Sequence, residues 1–202
     1  MSYMYVIVCS IADTQTFVEA GRTWMGEKLS GMGAKSTMAN EVVMGGDMAG
    51  KVLVAFETDT VDEAMALQAD LYADKETLSL IRDTQVQVHR RSLMRTQAEF
   101  GSREGTYGSA LYLSSLPVDD ATMQKNCSVN WEHLQKGANG MTALNIVAGG
   151  SSPFSHVVTT RTNSLDSLLA ASVQNFADPA VQKIMAGLNI KVLGRVLTRR
   201  LF

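Results

Sequence analysis

Two alternating basic runs hold the clearest chemistry in this chain. His89, Arg91, Leu93 and Arg95 stand two residues apart, as do Lys191, Leu193, Arg195, Leu197 and Arg199. In a strand that spacing places each series on one face, with Val86, Val88, Ile190 and Val192 on the other. A guanidinium facing an enclosed space can hold a carboxylate, enolate or phosphate through a charge-assisted fork. Arg91 and Arg195 are therefore the expected anion-binding residues. The plainer alternative is pairing with acids such as Glu41 or Glu57. His156 shares a predicted strand face with Val158 and Thr160. If that face lines a cavity, His156 is the candidate general base; a histidine satisfied in place is the plainer alternative. Tyr5 and Tyr112 offer hydroxyls as further ligand-binding donors.

Other residue types point to less. His133 falls on a helix beside Trp131, which already takes the inward direction, so His133 points away. Cys9 and Cys127 show no metal-ligand spacing and read as buried free thiols, which suits a reducing cytoplasm. The glycine pairs do not follow a phosphate-loop pattern, and no histidine or cysteine cluster suggests zinc. No serine is marked as the nucleophile of a triad. Neither a cofactor nor a metal is expected.

The elements that position these residues occur twice. Tyr5 recurs as Tyr112 and Trp24 as Trp131, both 107 positions on. From Ala39 onward the shift is 104, matching Gly45-Gly46 to Gly149-Gly150, Thr58 to Thr162 and Ala73-Asp74 to Ala177-Asp178. It also matches Arg91 to Arg195, within about fourteen identities between 39 and 95, well above chance. Each copy reads strand, helix, strand, strand, helix, strand. Residues 1–96 form the first copy and 110–202 the second. The polar, glycine-rich stretch 97–109 is the expected linker.

The order βαββαβ is the ferredoxin-like pattern. Both helices must lie on one face of each antiparallel sheet. The strands are apolar on both parities, as Val52, Val54 and Phe56 alternate with Leu53 and Ala55. The bare faces must therefore be hidden, and the economical solution packs the two sheets face to face with helices outside. On element order and duplication, the chain resembles the dimeric α/β-barrel superfamily, which includes monooxygenase-like, NIPSNAP-like and haem-handling proteins. The resemblance implies an α+β fold: two tandem ferredoxin-like repeats forming an intrachain dimeric α/β barrel. It implies a protein that binds, or oxidises without a metal, a small apolar anionic molecule. A non-catalytic structural or interaction module is the alternative, with an exposed strand edge joining two chains into a homodimer.

Composition sets outer limits. The net charge of −2 argues against bulk binding to nucleic acid or acidic membranes. No apolar run reaches the length of a membrane span, and the opening MSYMYVIVCSIAD reads as a strand, not a leader.

Overall fold

The computed structural model describes residues 2–202. The first copy contains β1 (Tyr3–Ser10), α1 (Thr14–Ala20), α2 (Gly26–Gly31), β2 (Ser36–Met44), β3 (Val52–Thr58), α3 (Val61–Ala73), α4 (Lys75–Asp83) and β4 (Gln87–Gly101). The second contains β5 (Tyr107–Ser114), α5 (Asp120–Leu134), β6 (Gly140–Ala148), β7 (His156–Thr162), α6 (Leu165–Ala177), α7 (Pro179–Gly187) and β8 (Lys191–Arg200). A π-helical turn, Gly21–Met25, joins α1 to α2.

Several repeated residues have local reasons. Asp74 and Asp178 each cap a further short helix, accepting from the N–H groups of Thr77 and of Ala180 and Val181. These helices, α4 and α7, carry no distinct signal in the sequence reading. Thr58 and Thr162 close the strand-to-helix turn by donating to the carbonyls of Thr60 and Ser164. Gly46 and Gly150 have φ of +59° and +65°, a region that favours glycine. On α3, Ala64, Leu67 and Leu71 are buried, whereas Met65 is 62% exposed.

The strands form one closed antiparallel barrel in the order β1-β3-β2-β8-β5-β7-β6-β4. The helices lie outside it. Closure joins β2 to β8 and β4 to β6, the two seams between copies. Among the described residues every strand is paired on both sides, so there is no free edge to recruit a second chain. Dimerisation through an exposed edge is thereby corrected. The expected linker also shrinks. Gln97–Gly101 continues β4 to pair with β6, and only 102–106 separate β4 from β5.

Strand register corrects the first part of the repeat. Val8 pairs with Leu53 and Arg90, and Tyr112 with Val157 and Gly194, each member 104 residues from its counterpart. Tyr112 is thus the counterpart of Val8, and Tyr5 that of Ser109. The matching tyrosines 107 apart are a coincidence of type, since a three-residue slip turns a side chain to the other face.

Candidate functional site in the second helix–sheet layer

A β-bulge decides where the arginines point. Val8 pairs with Arg90 but Cys9 with Val88, leaving His89 as the extra residue; Tyr112 pairs with Gly194 but Leu113 with Val192, leaving Leu193. An extra residue reverses the alternation beyond it. Val86 and Val88 therefore lie under the helices as expected, but so do Arg91 and Leu93. The expectation that Arg91 and Arg195 face the space between the sheets is corrected: both face their own helices. Sequence periodicity does not register a bulge.

In the second copy this layer holds a cavity of about 110 Å³. Taking roughly 10–15 Å³ per water-sized group, it has room for about ten non-hydrogen atoms. Strands β5, β7 and β8 present Ser109, Leu111, His156, Thr160 and Arg195; the helices close it with Cys127, Asn130, Asn175, Phe176 and Met185. The corresponding space in the first copy is about 60 Å³. The 104-residue register gives the reason. Tyr5, Val52, Phe56 and Leu71 pack in the first core, and their counterparts are Ser109, His156, Thr160 and Asn175. The stacked Tyr5–Phe56 pair, with ring centroids 5.7 Å apart, is replaced by two small hydroxyl residues. Apolar packing has been exchanged for space and polar groups, which costs stability unless something occupies them.

The arginines diverge in the same way. Arg91 donates to the Tyr72 hydroxyl at 2.7 Å and lies 5.2 Å over its ring. The residue 104 positions after Tyr72 is Phe176, which offers no hydroxyl. Arg195 is half-buried and has no hydrogen-bond or ion-pair partner among the described residues. Its desolvation pulls the guanidinium below its ordinary range. By contrast Arg95 pairs with Asp120 and Arg199 with Glu41, both at 2.6 Å.

His156 is 4% exposed. Its Nδ1 lies 2.9 Å from Ser155 Oγ and 3.1 Å from Ser115 Oγ, and its Nε2 lies 3.3 Å from Asn145 Nδ2. Burial lowers its pKa and favours the neutral ring. From Arg195, the sheet crosses β5 to reach β7 through the pairs Leu111–Arg195, Leu111–Val158 and Leu113–His156. Two strand spacings and two residues put the two backbones about 12 Å apart. Asn175 donates to Asn130 Oδ1 at 2.9 Å, while its own buried Oδ1 has no partner among the described residues.

The remaining sequence candidates are elsewhere. Tyr5 lies under the first copy's helices near Arg91, and burial raises its pKa. Tyr112 faces the barrel lumen against Phe154. The five candidates therefore do not form one site: Arg195 and His156 share a cavity, and Arg91 and Tyr5 occupy the equivalent place in the other copy. Ser109, Asn130, Thr160 and Asn175 escape the sequence reading. Comparing the copies at a 104-residue shift throughout would have singled out Ser109, Thr160 and Asn175.

Solved structures share this architecture. A candidate chlorite dismutase superposes with a TM-score of 0.61 at 13% identity, covering 98% of this chain and 94% of that one. A candidate monooxygenase from Lactobacillus acidophilus gives 0.57 at 10% identity, covering 100% and 94%. The chain has the dimeric α/β-barrel fold within one polypeptide. A chlorite dismutase from Candidatus Nitrospira defluvii, solved in complex with imidazole, gives 0.58 at 13% identity, covering 98% and 90%. At these identities the likeness of this dimeric α/β barrel to its neighbours is one of fold. No family model matches the sequence, and no curated protein matches it.

The superfamily that the sequence resembles includes haem-handling proteins. His133, on α5, has Nε2 3.2 Å from Asp178 Oδ2 and does not line the cavity. His156 lines it, but both its ring nitrogens are engaged by neighbouring side chains. The residues do not fit an axially ligated haem. Among the described residues no group of three or more His, Cys, Asp or Glu side chains could hold a metal ion. Nor is any described helix long and apolar enough to cross a membrane.

Proposed function

We propose that the second helix–sheet layer binds a small, mostly apolar organic anion. One observation carries this reading. The two copies differ where they face their helices: the second has about 110 Å³ of space against about 60 Å³ in the first, and its guanidinium has no partner among the described residues. Arg195 receives the anionic group, and Leu111, Val158 and Met185 cover the apolar body. Asn175 Oδ1 accepts a ligand hydroxyl or amide hydrogen. His156, neutral near pH 7, is the side chain suited to accept a proton from the bound molecule once Asn145 yields Nε2. In the first copy, Arg91 and Tyr5 belong to a tighter, structural layer. Cys9 and Cys127, free and buried, suit a reducing, cytoplasmic setting. Burial pushes their thiols up to about 11 and about 12.

Calorimetric titration with benzoate, whose size matches the cavity, tests the reading. Saturable binding that Arg195→Gln weakens by about tenfold, with benzyl alcohol binding no better than to that variant, is the expected result. Equal affinity for benzoate and benzyl alcohol would reject the anion site. No binding of either would favour a non-catalytic structural module. Oxidation of a bound anion, the reaction class of the monooxygenase-like neighbours, is tested separately by oxygen uptake.

A further inference from the structure

The barrel lumen is a separate space. It encloses about 100 Å³ between the two sheets and is lined by apolar side chains together with Arg90, Arg103 and Arg161. Among the described residues no aspartate or glutamate lines it, and of the three cations only Arg103 pairs with carboxylates. Arg103 pairs with Glu57 and Glu99, each at 2.5 Å. Arg161 donates to Asn40 Oδ1 at 2.5 Å and lies 3.2 Å from Met38 Sδ, with no carboxylate in contact among the described residues. Its cross-strand neighbours are Gly108 and Gly140. A Cβ at Gly108 would come within 3.0 Å of the guanidinium, so glycine gives it room. Burial pulls Arg161 down to about 10, which still leaves it charged at neutral pH. Arg90 lies 5.2 Å over the Phe154 ring, and its buried Nε has no hydrogen-bond partner among the described residues.

Polar groups cluster at the Arg161 end. Asn40, Ser102, Thr142 and Thr159 line the lumen, and Thr142 pairs directly with Thr159. Through the pairs Gly101–Gly140 and Gly140–Arg161, Arg161 lies level with Gly101, eleven residues along β4 from Arg90. The two cationic positions are thus well separated along the barrel. Between them lie Met4, Val6 and Met94, and methionine adapts readily to an aliphatic chain. The arrangement is a long apolar bore with a polar, cationic seat at one end.

We propose that the lumen is a second binding site, for an elongated aliphatic carboxylate whose head group sits on Arg161 and Asn40. It is independent of the helix–sheet cavity, which takes a compact anion on Arg195. A buried guanidinium without an anion is costly to maintain. A carboxylate here supplies the missing charge, accepts the free guanidinium N–H groups, and fills the bore with methylene groups.

The test uses the full chain with methyl-labelled methionine and octanoate as the probe. On titration the methyl signals of Met4, Met38 and Met94, which line the lumen, should shift saturably. Those of Met123 and Met185, which line the helix–sheet cavity, should not. Arg161→Gln should weaken octanoate by about tenfold or more while Arg195→Gln leaves it unchanged, and octanol should bind no better than octanoate does to Arg161→Gln. The proposal is overturned by the absence of saturable shifts, by shifts confined to Met123 and Met185, or by a folded Arg161→Gln protein that binds as tightly as the parent. If Arg161→Gln does not fold, the methionine shifts of the unaltered protein decide. Loss of benzoate binding alone would sink the helix–sheet site and leave this one standing.

Discussion

Phe176→Tyr gives the second copy the arrangement of the first. The added hydroxyl stands where Tyr72 receives Arg91 at 2.7 Å, because α3 and α6 match residue for residue at a shift of 104. A hydrogen bond to a charged group contributes about 1.5–3 kcal/mol when sheltered. Arg195 is only half-buried, so we take about 1–2 kcal/mol. An anion must then displace the hydroxyl from the guanidinium, which weakens binding by about 5- to 30-fold. The same bond should raise the melting temperature by about 2–4 °C per kcal/mol in a chain of this size. Benzoate calorimetry and a thermal scan measure both on one sample. Affinity and melting temperature both unchanged would refute the reasoning, since the hydroxyl would then not reach Arg195. Weaker binding with a lower melting temperature would also refute it, because that indicates a disturbed fold.

Three further outcomes follow from the geometry. Restoring the first copy's aromatic pair with Ser109→Tyr and Thr160→Phe should abolish benzoate binding without lowering stability, read by calorimetry and denaturant titration. A double variant that still binds would place the ligand elsewhere. His156 has a folded pKa below its unfolded value of about 6.5, so its contribution to stability is complete above that pH and is lost as pH falls through the folded pKa. His156→Gln should flatten the fall in denaturant midpoint on the acid side; an unchanged slope would show that other groups control it. Divided between β4 and β5, each half should fail to behave as a compact monomer by gel filtration and circular dichroism, because separation leaves β2 and β4, or β6 and β8, unpaired along the seams.

Much of the architecture is legible from particular residues. Strands apolar on both parities, such as 52–56, require cover on both faces. The duplication provides that cover within one chain, and the barrel closes through β2–β8 and β4–β6. Repeated Gly46/Gly150 and Asp74/Asp178 mark a positive-φ turn and a helix cap, both local matters that a short stretch of sequence encodes. The site is less legible. Alternation alone assigns Arg91 and Arg195 to the wrong face, because one extra residue in each closing strand resets the pleat. Tyr5 and Tyr112 look equivalent until strand pairing shows them in different layers.

The sequence by itself determined the element order, the two copies and the need to bury both sheet faces, since these follow from periodicity and composition along the chain. Only the packing in space made one copy's helix–sheet layer tighter and the other's more open. It also left Arg195, among the described residues, without a partner where Arg91 has Tyr72, and Arg161 facing the lumen with no carboxylate in contact. The physical reason is that a bulge and a closed barrel relate residues far apart in the chain. Which cation meets an anion, and which is left to a ligand, depends on that pairing in space.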